Sequence, residues 1–320
     1  MNAPENRPRP LSLLWLQCGG CGGDSMSLLN AASPEPHELF AQLGAELLWH
    51  PSLSNGSPAE HDALLESIVA GERALDLLLV EGAIVHGPEH TGMFDTRRGR
   101  PKKDLAAALA RQAGHVVAVG TCAAFGGIAA EGALQGSGLQ FTGKRPGGLL
   151  GAEFRGRAGL PVINLAGCPV HEQVITGTLL ALAAGQAPLL DEFNRPLDWF
   201  GMTVHQGCTR NEYHEYRVEE TDFAERGCLF FFKGCHGPLT DGPCNKVLWN
   251  GRSSKPRAGV PCFGCTDPTF PQPHPFFVTR DIEGIPISLP KGVSRAHYMV
   301  YKGMAAAAAP DRLKQRQTTI

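Results

Sequence analysis

Up to about residue 185 the chain alternates short apolar runs with amphipathic stretches. Residues 11–17, 75–81, 116–120 and 162–166 are compact apolar runs of the kind expected from strands buried on both faces, and residues 46–50 are a weaker fifth. Helical patterns fill the intervals. Ser57-Pro58-Ala59-Glu60 is a capping box with proline in the first turn, and Gly71 can close that helix. Residues 101–113, ended by Gly114, and 170–184, ended by Gly185, read as two more helices. Strand and helix in alternation predict an α/β fold with a doubly wound parallel sheet. From residue 186 onward the periodicity fades, so a loop-rich domain is expected over 186–290, followed by a basic tail over 291–320.

Ligands of such sheets gather beyond the carboxyl ends of the strands, and cysteines stand just there. Residues 11–17 are followed by Cys18-Gly-Gly-Cys21-Gly-Gly-Asp24, residues 116–120 by Thr121-Cys122, and residues 162–166 by Gly167-Cys168. Cysteines far apart in sequence would converge on one edge, among glycines that let backbone N–H groups approach sulfur. In the loop-rich half, His205 and Cys208 are three residues apart, a spacing that puts both on one face if the segment is helical. Cys228 and Cys235 flank the apolar insert 229–232, which would wall off water, and with His205 and Cys208 they complete a four-ligand set. Cys244, Cys262 and Cys265 are a three-thiolate set. Cys-x-x-Cys is a metal signature that does not choose between zinc and iron–sulfur. His236 or His274 could complete a zinc site with the last three, leaving a zinc-stapled structural protein as an alternative.

The ten cysteines sit in a chain of 320 residues, long for a disulfide scaffold. The apolar run 11–16 behind Arg7 and Arg9 is too short for a signal core, the pair Arg97-Arg98 is internal, and no apolar stretch reaches membrane-spanning length; the expectation is a soluble, cytoplasmic protein with reduced thiols. A net charge of −2 argues against nucleic acid as a main partner.

The stretches LLWLQCGGCGGDSMSLL, VEGAI, VGTCAAFGG, NLAGCPVH, HQGCTR, CLFFFKGCHGP, GPC and VPCFGCTDPTF resemble, in order, the small subunit of a [NiFe] hydrogenase. The resemblance implies a flavodoxin-like first domain over 1–185 and an irregular iron–sulfur domain after it. It implies an electron relay of two [4Fe-4S] clusters and one [3Fe-4S] cluster, with the Ni–Fe site, and so the catalytic residues, on a large-subunit partner. Carried over by residue, the proximal [4Fe-4S] ligands are Cys21, Cys122, Cys168 and one more. The medial [3Fe-4S] ligands are Cys244, Cys262 and Cys265, and the distal [4Fe-4S] ligands are His205, Cys208, Cys228 and Cys235. The Cys228–Cys235 spacing is one residue longer than the family's usual pattern. Related subunits of respiratory complex I share only the first domain's cysteines.

The fourth proximal ligand has two registers. Either Cys18 and Cys21 are the pair and Asp24 starts a helix, or Cys21 and Asp24 are the pair. The flanking residues favour Asp24, as in the soluble, high-affinity, oxygen-insensitive actinobacterial-type subclass, with Cys18 a nearby spare thiol. A carboxylate is a harder donor than thiolate and should move the cluster's potential. The alternative within the family is an H₂-sensing regulatory hydrogenase that signals to a kinase. The basic tail, with Lys291, Arg295, Lys302, Arg312, Lys314 and Arg316, reads as solvated or as a docking segment. The resemblance also implies an external redox acceptor, and a dimer of heterodimers is compatible with the sequence.

Overall fold

The computed structural model describes residues 10–271, 279–290 and 292–314, the last without its side chain. Arg7, Arg9, His274, Lys291 and Arg316 lie outside the described residues, as does the side chain of Lys314. The chain divides into two units, Met1–Asp198 and Trp199–Ile320.

The first unit is organised by five strands, β1 (Leu11–Gln17), β2 (Ala45–Trp49), β3 (Leu75–Glu81), β4 (Ala113–Val119) and β5 (Ile163–Leu165). They form one parallel sheet in the order β2-β1-β3-β4-β5, the flavodoxin-like arrangement. The apolar runs follow from burial: Leu13, Leu14, Trp15, Leu77, Leu78 and Val117 are all fully enclosed. Edge strand β2 has no fully buried residue, which explains its weaker apolar signal.

Helices α1 (Gly23–Leu29), α2 (Pro36–Leu43) and α6 (Glu172–Ala183) pack together as one group, and α3 (Pro58–Val69) with α4 (Lys102–Gln112) as another. The capping box forms as expected: Ser57 N–H donates to Glu60 Oε2 at 2.7 Å and Glu60 N–H to Ser57 Oγ at 3.2 Å. Gly71 closes that helix, its N–H donating to Ile68 O at 3.0 Å.

The register lines up the strand ends. Gln17 pairs with Glu81, Glu81 with Val119, and Val119 with Leu165. The segments after β1, β3, β4 and β5 therefore leave the sheet at one level. Between β1 and β3 the order reverses direction, the crevice where such sheets bind ligands.

The second unit has little regular structure. Val204–Gly207 is a 3₁₀ turn, α7 (Asn211–Glu215) and α8 (Phe230–Lys233) are single turns, and α9 (Arg295–Ala308) is its one long helix among the described residues. Its core is the buried cluster of Cys228, Phe230, Phe231, Phe232 and Tyr298, with Ile285, Leu289 and Val293 against it. Burying each phenylalanine contributes on the order of 2–3 kcal/mol. Polar ties do the rest. Arg210 Nε donates to Pro256 O at 2.8 Å, and its Nη1 donates to the carbonyls of Glu225 and Gly227. Part of the basic tail packs on this unit: Tyr298 donates to Glu219 Oε2 at 2.6 Å, Lys302 pairs with the same carboxylate, and Arg312 pairs with Glu212. Among the described residues no helix is long and apolar enough to cross a membrane.

Candidate metal centres

At the carboxyl edge of the sheet, the segment after β1 turns at Gly22 into α1, which carries Asp24 in its first turn. Buried Glu81, 1% exposed at the end of β3, holds this turn. Its Oε1 accepts the N–H groups of Asp24 and Ser25 at 3.0 and 3.1 Å, and its Oε2 accepts Trp15 Nε1–H at 3.0 Å and the Ser25 hydroxyl. Asp24 is 8% exposed, and its Oδ1 accepts Val170 N–H at 2.7 Å. Burial raises the Asp24 carboxyl to about 7, against the pull of that hydrogen bond.

Cys122 follows β4 on the short helix α5 (Thr121–Phe125). Burial pushes its thiol up to about 11, and the nearby charges of Asp24 and Cys21 push the same way. The Cys168 segment is stitched to it: Thr121 N–H donates to Gly167 O at 2.8 Å, and Gly167 N–H donates to Thr121 Oγ1 at 2.9 Å. Cys21 lies beside Pro169, since a Cβ on Gly23 would sit within 3.2 Å of Cys21 Sγ and 3.6 Å of Pro169 Cβ. Cys21 and Cys168 are exposed.

The glycines here keep space for the donors. A Cβ on Gly120, whose φ is +89°, would lie 2.0 Å from Asp24 Oδ2, and one on Gly127 would lie 2.7 Å from Cys122 Sγ. Cys18 is placed differently. It is buried, its thiol is pushed up to about 12 by burial, and the charges that act on it are Asp95 and Lys102.

In the second unit, His205, Cys208, Cys228 and Cys235 line one small cavity of about 20 Å³ with Arg210, Leu229, Phe230 and Asn245. The His205–Cys208 segment is a 3₁₀ turn, not an α-helix; residues three apart still share a side in that geometry, and Cys208 N–H donates to His205 O at 2.9 Å. The seven-residue step from Cys228 to Cys235 is taken up by α8, which stops at Gly234 in a left-handed conformation. The apolar insert is buried, as expected from its composition. Burial raises the Cys228 thiol to about 12 and also raises Cys208 and Cys235. Backbone N–H groups reach the sulfurs: Arg210 N–H donates to Cys208 Sγ at 3.4 Å, and Cys262 N–H to Cys235 Sγ at 3.3 Å.

Cys244, Cys262 and Cys265 form a second group. Burial raises Cys244 to about 12, with Cys265 pushing the same way, and Cys262 is raised well above the usual thiol range by burial and by Cys235, Cys265 and Cys244. His236 faces Gly264, the glycine between Cys262 and Cys265, where a Cβ would meet its Nδ1 at 3.1 Å.

No disulfide joins any of the ten cysteines. Burial disfavours bare thiolates at Cys122, Cys208, Cys228, Cys235, Cys244 and Cys262, and a bound cation removes that cost by displacing the protons. The donor chemistry, all sulfur with one imidazole and one carboxylate, fits iron–sulfur clusters.

Three residues that shape these sites are not among the candidate ligands the sequence offers. Glu81 is one. Asn245, whose Nδ2–H donates to Val204 O at 2.8 Å, is another. The third is His214, whose Nδ1 is 3.4 Å from Cys228 Sγ. None of them has a metal-ligand spacing, and each reaches its site only through tertiary packing.

Residues 21–182 match the family described as NADH ubiquinone oxidoreductase, 20 Kd subunit, and residues 200–278 match the family described as the C-terminal part of the NiFe/NiFeSe hydrogenase small subunit. The chain is 33% identical to the periplasmic [NiFeSe] hydrogenase small subunit of Desulfomicrobium baculatum, over 84% of this chain and 87% of that one. It is 32% identical to periplasmic [NiFe] hydrogenase small subunit 1 of Nitratidesulfovibrio vulgaris, over 83% and 81% of the two chains. Among solved structures it superposes on the actinobacterial-type NiFe-hydrogenase from Ralstonia eutropha H16 with a TM-score of 0.77 at 29% identity, covering 97% of this chain and 92% of that one. The first family alone would leave the second unit unaccounted for, and the second family and full-length relatives account for it: the chain belongs to the [NiFe] hydrogenase small-subunit family.

Proposed function

We propose that this chain is the electron-relay half of an H₂-oxidising [NiFe] hydrogenase, with three iron–sulfur clusters between its large-subunit partner and an external acceptor. In this reading Cys21, Asp24, Cys122 and Cys168 hold a proximal [4Fe-4S] cluster. Cys244, Cys262 and Cys265 hold a medial [3Fe-4S] cluster, and His205, Cys208, Cys228 and Cys235 a distal [4Fe-4S] cluster. The observation that carries it is the cavity shared by all four distal donors, which two segments twenty residues apart in sequence bring together.

Bound there, the clusters supply one-electron chemistry. The protein's own groups define the sites. The thiols give up protons to become ligands, Arg210 and Cys262 aim N–H groups at sulfur, and Phe230 and Leu229 exclude water from the distal cavity. In the first unit, Glu81 fixes the turn that carries Asp24, and Gly120 leaves room for its carboxylate. Placement of Asp24 beside Cys122, with Cys18 instead under the charges of Asp95 and Lys102, supports the aspartate register and with it the oxygen-insensitive, cytoplasmic subclass. Likeness to the actinobacterial-type enzyme supports the same subclass.

The test is iron and acid-labile sulfide in the anaerobically purified heterodimer. Clusters of four, three and four irons predict about eleven irons in this subunit. A value near four, with only the first unit's donors occupied, would contradict the three-cluster relay.

A further inference from the structure

The distal cavity has one more imidazole beside it than the ligand set requires. His214, half-buried on α7, places Nδ1 at 3.4 Å from Cys228 Sγ. Its ring stands edge-on to that of His205, with centroids 4.7 Å apart and planes at 70°. Elsewhere the ring meets Phe230 at 5.4 Å and lies parallel to Phe231 at 6.1 Å. The imidazole is thus held between a ligand histidine, a ligand cysteine and the aromatic core.

We propose that His214 is a positioning residue of the distal iron–sulfur site, donating Nδ1–H to the Cys228 thiolate and holding the His205 ring in its ligating orientation. The inference rests on the reading of His205, Cys208, Cys228 and Cys235 as cluster ligands. A thiolate on iron offers only lone pairs, so the hydrogen in this contact must belong to the imidazole, which fixes the tautomer with the proton on Nδ1. A hydrogen bond to a cluster sulfur stabilises the reduced, more negative state more than the oxidised one and so raises the reduction potential. Packing alone would ask only for a flat apolar ring, which phenylalanine supplies.

The experiment is an EPR-monitored redox titration of the complete heterodimer. His214→Phe keeps the ring and removes the donor, and His214→Gln keeps a donor and removes the ring. The distal midpoint should fall in His214→Phe, with iron content and the other two cluster signals unchanged, and His214→Gln should lie nearer the parent. A parent-like midpoint in His214→Phe, or a fall in His214→Gln as large as that in His214→Phe, would overturn the donor role. So would loss of the distal cluster in His214→Phe together with its retention in His205→Ala, which would make His214 the ligand. Pulsed EPR of the unmutated, ¹⁵N-histidine-labelled complex needs no variant to fold. It should give a strong imidazole coupling from His205 and a weak second one from His214, and a single coupling would overturn the proposal. Absence of any distal signal from the unmutated complex would instead remove the cluster reading beneath it.

Discussion

In the first unit, the donors leave the ends of strands that pair through a buried apolar sheet; in the second, they hang on single turns around a small aromatic cluster. Gln17, Glu81, Val119 and Leu165 stand in one register line, so the sheet itself brings Cys21, Asp24, Cys122 and Cys168 to one edge. Among the described residues no such frame surrounds Cys208, Cys228 and Cys235, which depend on Arg210, Asn245 and the phenylalanines 230–232. The difference teaches that a metal site can be a passenger of one fold and a structural member of another. Where regular structure is scarce, a bound cluster would contribute folding free energy.

The largest effect should come from withholding iron. Produced where cluster assembly is blocked, the chain should lose the second unit and keep the first. Limited proteolysis should cut readily within 199–271 and spare a fragment spanning residues 11–183. Equal resistance of both parts would erase the contrast.

Next in size are changes at the proximal edge. In Gly120→Ala the added methyl would fall 2.0 Å from Asp24 Oδ2 at a φ of +89°. With ψ at 156° this is backbone space that is essentially glycine's alone, and a side chain held there costs about 1–3 kcal/mol by itself. The proximal EPR signal should disappear while the sheet stays folded by circular dichroism. Asp24→Ala should also lose it, Asp24→Cys should keep a cluster of shifted potential, and Cys18→Ser should leave the spectrum as it was. Loss in Cys18→Ser with retention in Asp24→Ala would reverse the register.

A smaller change is expected from Arg210→Ala. It strands the carbonyls of Pro256, Glu225 and Gly227, and each buried one left unsatisfied costs about 1–3 kcal/mol. Thermal unfolding of the second unit should move down, with iron lost first from the distal site. The smallest is Ser57→Ala, which removes a helix cap worth about 1 kcal/mol far from any cluster donor. Calorimetry should register it in the first unit's transition alone, with unchanged EPR.

The same contrast governs what the sequence discloses. Central strands such as Leu11–Gln17 and Leu75–Glu81 are legible to the residue because both faces are buried and most of their positions are apolar. The helix Pro58–Val69 is legible because its caps are local chemistry. The helix Pro36–Leu43 passes unnoticed: it buries only Leu39 and Leu43, and its capping residue is a glutamate, Glu35. Among the candidate ligands, the cysteines and His205 announce themselves by type and spacing. His214 does not, because it sits in the polar run NEYHEY and meets Cys228 fourteen residues later only through folding. Glu81 is hidden by its place in an apolar strand, where nothing local shows that four donors converge on it.

The account turns on electrons from H₂ reaching iron held by this chain. The direct measurement is EPR of the anaerobic heterodimer before and after H₂, with dithionite as a control. Reduction by H₂ of clusters assigned to both units is the predicted result. Clusters that respond to dithionite but stay oxidised under H₂, in a complex whose large subunit is metal-replete, would contradict it.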